Sequence, residues 1–424
     1  MKNNLLSRAI HDLRSQPVIG TVTVIGTALS VFLIMVVVMM FQVKVQPFGP
    51  EINRDRTLYV PHIHFMQDNG RMGFSGTMSI GAADLLFKDL PGAEAIAVFT
   101  GFMSSNDVTD GTRHKEAIKR TVNNDYWKIF SYDFLAGHPL TDADAVGSEP
   151  GAVLAESVAR VFFDSPDDAI GKRIYVVDRP YRVAGVIKDV TPLAQQAFGE
   201  VYVPITQEFI DNEHPWNQYG GEMAVALLAK SPSDIPALKA ESEARYRAFQ
   251  EQLPETDSIY SHGAPYNIEE LSLAQWSNQD PDVKGERRKR YIIYAILLLI
   301  PALNLSTMSR SRLQRRVSEL GVRRTYGATR WSILRDILIE NFFITLVGAL
   351  IGIAMCFIYG SFFSSAVFTN QWTGLTDNAP LEILFNWRLL GFTIIFCFLL
   401  NLLSSGIPAW RASRINPVDA LNNR

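Results

Sequence analysis

Four stretches of the chain are apolar over the roughly 20 residues that a helix needs to cross the hydrocarbon core of a bilayer. Val18 to Val43 holds no charged residue. It is too long for the apolar core of a signal peptide, and no small-residue cleavage pattern follows it, so it reads as a retained anchor. Tyr291 to Met308 is a second, shorter run with Pro301 inside it, Ile337 to Phe363 a third and Trp387 to Ile407 a fourth. The pattern predicts an α-helical membrane protein with four transmembrane helices. Residues 44–290 separate the first run from the second and contain no such stretch, so they are expected to form one mixed α/β domain, ending in a stalk, inserted between those spans.

Inside that insertion the apolar runs are short and alternate. Leu58 to Phe65 and Ala95 to Phe102 predict strands, with Ile80 to Leu90 helical between them. Ala152 to Leu154 predicts a short strand turning into a helix over Glu156 to Phe163. Arg173 to Val177 and Tyr181 to Ile187 are rich in β-branched and aromatic residues and predict a hairpin around Asp178, Arg179 and Pro180. Val201 to Ile205 and Met223 to Leu228 add two strands. Ser233 or Asp234 caps a predicted helix with Pro236 in its first turn, running to about Leu253. From Glu269 a helical stalk leads into the second span, bent or broken at Pro281.

Charge then orients the spans. From Lys44 to Glu286 there are 21 Lys and Arg against 36 Asp and Glu, while the rest of the chain holds 19 against 7. An acidic outer domain with basic cytoplasmic edges divides its charge this way. Lys2, Arg8 and Arg14 precede the first span. Arg310, Arg312, Arg315, Arg316, Arg323, Arg324, Arg330 and Arg335 crowd the second–third connection, and Arg411, Arg414 and Arg424 follow the fourth span. The loop 364–386 has neither Lys nor Arg. Basic loops stay inside, which puts the amphipathic segment 1–17, the segment 309–336 and the tail 408–424 in the cytoplasm, with the large domain and the loop 364–386 outside. Arg287, Arg288, Lys289 and Arg290 abut the outer end of the second span. Long translocated domains largely escape the charge rule, and such side chains snorkel to head groups.

Chemistry-bearing residues change this picture little. His62 and His64, two apart, share one face of the predicted strand, but neither Cys nor a third nearby His completes a metal site. Ser157, in Ala155-Glu156-Ser157-Val158-Ala159, lacks the flanking glycines of a nucleophile elbow. Cys356 and Cys397 are the only cysteines, both lie in apolar runs, and both read as buried small hydrophobes, so the outer domain uses no disulfides. Glu340, near the inner start of the third span, reads as solvated or paired with an arginine. No catalytic residue, no metal site and no cofactor-binding site is expected in this chain. Gly348 with Gly352, and Gly26 with Ser30, have the four-residue spacing of small residues that lets helices approach closely in lipid.

None of the cytoplasmic segments reaches the roughly 40 residues that independent folding needs. The second–third connection is instead built to dock. Its helical propensity runs to Tyr326, Gly327 supplies a left-handed stop and Thr329 caps a further helix that continues into the third span. Such a basic juxtamembrane helix also suits anionic lipid.

Here the sequence resembles the MacB/FtsX-type permeases of ABC transporters. The resemblance is carried by Ser318-Glu319-Leu320-Gly321-Val322-Arg323-Arg324-Thr325-Tyr326-Gly327-Ala328-Thr329, with Glu340, Gly348 and Gly352 downstream. The tail Pro408-Ala409-Trp410-Arg411-Ala412-Ser413-Arg414-Ile415-Asn416-Pro417-Val418-Asp419-Ala420-Leu421 carries it too. In the outer domain, Asn123-Asn124-Asp125-Tyr126-Trp127, Leu135-Ala136-Gly137, Leu154 to Ala159, Ile170-Gly171-Lys172 and Val183 to Val190 match the family's periplasmic core domain. The chain departs from the MacB efflux protein in having its first span about 17 residues from its start and no phosphate-binding loop anywhere; Gly171-Lys172 lacks the upstream glycine and is followed by Arg173. The expected ATPase, with its ATP and magnesium, is therefore a separate chain.

The resemblance implies a multi-pass protein of the inner membrane without a substrate tunnel. Two permease chains pair, as a homodimer or with a related permease, above two cytoplasmic ATPase subunits, and the motion of those subunits reaches the outer domains through stiff helices. Glu319, Leu320, Gly321, Val322, Arg323, Arg324, Gly327, Ala328 and Thr329 are the expected coupling residues. Efflux of a periplasmic substrate, with an adaptor and an outer-membrane channel, is the leading expectation. Extraction of lipoproteins or lipids and regulation of an envelope hydrolase fit the same machine. A receptor signalling by helix motion would need a cytoplasmic effector; a membrane-anchored enzyme would need a catalytic cluster. The lipid bilayer is an expected partner and nucleic acid is not.

Overall fold

A computed structural model describes residues 17–213, 219–274, 278–315, 317–369, 374–377 and 387–414. They divide into two compact units, one made of the described residues within 17–42, 284–364 and 387–414, the other of those within 43–283 and 365–377.

The second of these, named the outer unit after the expected outer domain, is α/β. Its strands are β1 (Thr57–Val60), β2 (Ile63–Gln67), β3 (Met72–Gly76), β4 (Ala93–Thr100), β5 (Ser104–Thr109), β6 (His114–Val122), β7 (Phe134–Gly137), β8 (Gly151–Ala155), β9 (Arg173–Val176), β10 (Arg179–Ile187), β11 (Val201–Pro204), β12 (Met223–Ala229) and β13 (Ser258–Tyr260). Ten of them form one sheet and β13-β2-β3 a small second one. Every residue of β12 is buried, as expected of an uninterrupted apolar strand lying between two neighbours, here β1 and β4. Farther along, the order β6-β11-β8-β10-β9-β5 closes on itself because β5 pairs back onto β6. Closure leaves those strands no free edge, and Val108, Ala117, Leu154, Val183, Val201 and Val203 are among the residues that fill the interior. At Gly137, where β7 joins β10, φ is +72° and an added Cβ would lie 2.1 Å from the Ala184 carbonyl oxygen, so only glycine fits.

Helix α1 (Pro17–Val45) supplies the first long apolar element. In the outer unit, α2 (Ile80–Phe87) starts at Ser79, whose hydroxyl accepts from the Ala82 N–H. It packs with the longer helix over Ile235–Gln250 against the face of the sheet that carries Leu58, Val225 and Leu227. Glu156–Phe162 forms α3 and Gln207–Asp211 forms α4; Ile235–Gln250 is then α5.

Several expectations are corrected in detail. Leu58 to Phe65 is not one strand: the ladder breaks at Pro61, which has no N–H to donate. Its two halves join different sheets, so His62 lies in the break and does not share a strand face with His64. The hairpin turns at Val177 and Asp178, both with positive φ, which places Arg179 and Pro180 in β10 rather than in the turn. Asp234 stands at the start of α5 but makes no side-chain cap, because a short 3-10 turn over Pro232–Asp234 precedes the helix.

Burial pushes the His62 imidazole down from its ordinary range, and the same holds for His64, with His262 opposing its charge in addition. The unfolded chain then takes up protons first as pH falls below about 6.5. Stability of the outer unit is expected to be level above that pH and to decline below it. Thermal unfolding of the full chain at a series of pH values checks this, and His62→Gln should flatten the decline.

The helical unit contains α6 (Val283–Arg315), α7 (Val317–Thr325), α8 (Arg330–Phe362) and α9 (Trp387–Ser413), besides most of α1. Among the described residues, three helices are long and apolar enough to cross a membrane, over Gly20–Val45, Arg330–Phe362 and Gly391–Arg411. The run Tyr291 to Met308 falls within α6. Val31, Ile34, Met35, Ala302, Cys356 and Phe396 are among the residues of the buried seam that joins these helices.

Candidate coupling surface

Beyond Val317, α7 continues to Thr325 and then stops for a local reason. Gly327 takes φ +91°, a conformation that suits glycine. The Ala328 N–H donates to the Arg323 carbonyl at 3.1 Å and the Gly327 N–H to the Arg324 carbonyl at 3.1 Å, which satisfies carbonyls at the helix end. Two residues on, Thr329 has extended backbone and its hydroxyl accepts from the Ser332 N–H at 3.1 Å, starting α8. The expected helix, tight turn and capped second helix are thus all present in this stretch.

The segment has a buried side and an exposed one. Leu320 is buried with Leu313 of α6, Ile333 and Ile337 of α8 and Ala409 of α9, and Gly321 beside it is buried too. Four helices therefore meet at Leu320. On the other side Val322, Tyr326 and Trp331 are exposed, Tyr326 to 88%. Glu319 and Arg323 pair at 2.5 Å one helical turn apart on this surface. Arg324 is half-buried, Ala328 half-buried and Thr329 exposed. At the far end of α9 the Arg414 guanidinium lies 4.0 Å from the centre of the Trp410 ring. The result is a small surface with apolar, aromatic and charged groups, fixed to the helical unit through the buried Leu320, with Ala328 packed against the same cluster.

Higher in the same unit, α8 lies tightly against α1. A Cβ added at Gly348 would sit 2.7 Å from the Thr27 Cβ and 2.9 Å from the Val24 carbonyl oxygen; at Gly352 it would sit 2.6 Å from the Ala28 carbonyl oxygen. At Gly26 an added Cβ meets nothing within 4 Å, and the Ser30 hydroxyl turns back to the Gly26 carbonyl at 2.7 Å. Close approach therefore runs through Gly348 and Gly352, opposite Val24, Thr27, Ala28 and Val31.

In the outer unit a second constellation escaped the sequence reading. Arg54 and Glu51 form a buried ion pair at 2.7 Å. Arg54 also donates to the carbonyls of Val43 at 2.9 Å, Gln46 at 2.8 Å and Leu193 at 3.4 Å, so it caps the end of α1. Glu51 accepts the Gln196 and Ala197 N–H groups at 2.8 and 3.1 Å. Arg120, also buried, holds the same loop through the Gln195 and Phe198 carbonyls and ties it to Thr100 of β4. The hydroxyls of Tyr126, Tyr132 and Tyr202 all donate to the Ala197 carbonyl. The last turn of α1 is thereby hydrogen-bonded, through residues 193–198, to the body of the outer unit. Nothing about an Arg three residues after a Glu announces this; only the distant carbonyls it meets do.

Other chemistry is sparse. Asp189 accepts the Ser157 N–H at 2.9 Å, an N-terminal cap for α3. His64 bonds Ser75 and His262 bonds Asp280 at 3.0 Å. No group of three or more His, Cys, Asp or Glu is arranged to hold a metal ion among the described residues. Cys356 is buried in the helical seam; the side chain of Cys397, residues 1–16 and the tail from Ile415 lie outside the described residues.

Residues 21–245 match the MacB-like periplasmic core domain, and residues 291–417 match the FtsX-like permease C-terminal domain. The ABC transporter permease YknZ of Bacillus subtilis is 24% identical over 98% of this chain and 97% of its own length. The macrolide export ATP-binding/permease protein MacB of a Shewanella species is 24% identical over 79% of this chain and 47% of its own, so this chain spans about half the length of that relative. The pyoverdine export ATP-binding/permease protein PvdT of Pseudomonas putida is 21% identical over 71% of this chain and 42% of its own. A solved extracellular domain of YknZ covers 47% of this chain and 99% of that domain, at 17% identity and a TM-score of 0.32. The MacB-like match alone takes in more than half the sequence, and the chain belongs to the MacB/FtsX-type permeases of ABC transporters.

Proposed function

We propose that this permease converts ATP hydrolysis on a separate cytoplasmic ATPase, which holds ATP and magnesium, into movement of its outer unit, and that the movement drives export of a substrate from the periplasm. The observation that carries this reading is the surface around Glu319 to Trp331: it exposes Val322, Tyr326 and Trp331 while Leu320 anchors it to three other helices, α6, α8 and α9. A push there is delivered to the helices and not absorbed by a loose loop. Tyr and Trp beside arginine is the composition of an interface hot spot, and Arg323 and Arg324 suit carboxylates on a partner. The chain crosses the inner membrane four times in this reading, with Tyr291 to Met308 as the second span and both termini inside. A second permease chain completes the assembly. The relatives named for macrolide and pyoverdine export support efflux over lipid extraction or hydrolase regulation, and in this reading the efflux runs through an adaptor and an outer-membrane channel.

Purification of the tagged chain under gentle extraction should bring a small ATPase with it. Reversing Arg323 and Arg324 to Glu is expected to lower the stimulated ATPase rate roughly tenfold or more while membrane insertion stays intact. Since Arg323 also pairs with Glu319, the swap Glu319→Arg with Arg323→Glu is decisive. It restores the pair within the chain but not the docking. Full recovery by the swap would assign Arg323 to the helix alone and defeat the docking role.

A further inference from the structure

We propose that the mouth of the closed barrel in the outer unit binds a small oxyanion, a carboxylate or a phosphate group, through Lys119, Thr121 and Arg179. The mouths of β-barrels are preferred places for ligands. Here a cavity of about 150 Å³ opens there, lined by Lys119, Thr121, Arg179, Tyr181, Val203 and Phe209 among others. Lys119 and Thr121 are two residues apart on β6 and so share a face. Their partners across the parallel ladder are Val201 and Val203 of β11, which belong to the barrel interior. Arg179 is the first residue of β10, and α4 brings Phe209 over one side.

The polar groups of this cavity are not balanced by the protein. The Thr121 side chain is 99% buried and its hydroxyl has no hydrogen-bond partner, an arrangement that folded proteins rarely leave unexplained. Lys119 is half-buried and, among the described residues, makes neither a hydrogen bond nor an ion pair within 4 Å. Burial pushes its ammonium group down from the usual lysine range, and Glu222 only partly offsets that. Arg179 is held in place by Glu208 at 2.8 Å, by the Thr206 hydroxyl at 3.3 Å and by the Tyr181 ring beneath it. Glu208 accounts for the arginine's charge; that of Lys119 and the hydroxyl of Thr121 remain. A water molecule would answer the hydroxyl but not the ammonium. An oxyanion answers both, and acetate or phosphate fits the volume. A larger molecule could place only its anionic head here, with the remainder outside the barrel.

The proposal is independent of ATP coupling, so it is tested on the full chain in detergent without any ATPase. Unfolding midpoints and calorimetric titrations are compared for acetate, inorganic phosphate, N-acetylalanine and N-acetylalanine amide, each against sodium chloride at equal ionic strength. Acetate or phosphate is expected to stabilise the chain beyond the chloride control. Response to N-acetylalanine but not its amide identifies a carboxylate ligand; response to phosphate alone identifies a phosphate. Lys119→Gln should weaken binding roughly tenfold or more and Thr121→Val a few-fold. Thr121→Val is isosteric and removes an unpartnered hydroxyl, so it should fold at least as well without ligand, and it decides the matter if Lys119→Gln does not fold. Responses no greater than chloride for all four probes, or unchanged affinity in Thr121→Val and Lys119→Gln, would overturn the proposal.

Discussion

Replacing Arg54 with methionine is expected to lower the unfolding midpoint of the outer unit by about 6–20 °C. Removal of one partner from a buried pair costs about 3–5 kcal/mol, because the other charge is left without compensation, and each kcal/mol moves the midpoint of a unit this size by roughly 2–4 °C. The environment supports the upper part of that range. Arg54 and Glu51 are both nearly fully buried, the Arg54 guanidinium also lies 4.3 Å from the Phe48 ring centre, and the carbonyls of Val43 and Gln46 lose their donor with it. Circular dichroism of the full chain in detergent reads the transition. The double variant Glu51→Gln with Arg54→Met should lose less than the two single losses added together. Glutamine still accepts the Gln196 and Ala197 N–H groups, and no lone charge stays buried. Additive losses, or a shift under about 2 °C, would show that Arg54 is a peripheral cap. The same variant bears on transport. If the end of α1 passes motion to the outer unit through residues 193–198, a loosened clamp should leave basal ATPase activity of the assembled transporter in place and reduce export.

What the sequence could and could not disclose follows from the range of each interaction. Local signals were legible. The continuous apolar runs of α1 and α8, the strand residues of β9 to β12 and the Gly327 stop with its Thr329 cap each depend on neighbours close along the chain. Pro61 is as local, yet its effect on β1 and β2 shows only when the two halves are seen to enter different sheets. Strand β6 was not foreseen because its pattern mixes lysines and an arginine into the apolar alternation. The Arg120 charge finds most of its partners about 75 or more positions away, in the carbonyls of Gln195 and Phe198. The barrel cavity was hidden for the same reason. It exists only because β5 returns to β6, which no pattern along the chain states. At the coupling segment the turn was legible, while the division into an anchoring Leu320 and an exposed Tyr326 is a product of packing against α6, α8 and α9.

Gly352→Ala is expected to part α1 from α8 at their closest approach. The new methyl carbon would lie 2.6 Å from the Ala28 carbonyl oxygen and 2.9 Å from the Val31 Cβ. The oxygen belongs to a helix backbone and cannot turn aside, so the helices must separate. Overpacking of this kind costs about 1–3 kcal/mol, and in lipid, where tails are as apolar as side chains, close packing is a main source of helix association. The chain carries its own reporter. Cys356, one turn farther along α8, is buried in the same seam, so its reaction with a thiol reagent requires the seam to open. In a background with Cys397 replaced by alanine, Gly352→Ala should raise the rate of Cys356 labelling by about 5-fold or more, and Gly348→Ala should act the same way against Thr27 and Val24. Gly26→Ala is the matched control: it has the same chemistry in a helix of the same unit, but an added Cβ there meets nothing within 4 Å, and labelling should stay at the parent rate. Equal rates in all three variants would mean that α1 and α8 are held elsewhere and that the glycine spacing has no part in the packing. A rise at Gly348 and Gly352 with Gly26 silent would place the grip between the two helices on the α8 side, at one face two turns long, where Val24, Thr27, Ala28 and Val31 sit against bare backbone.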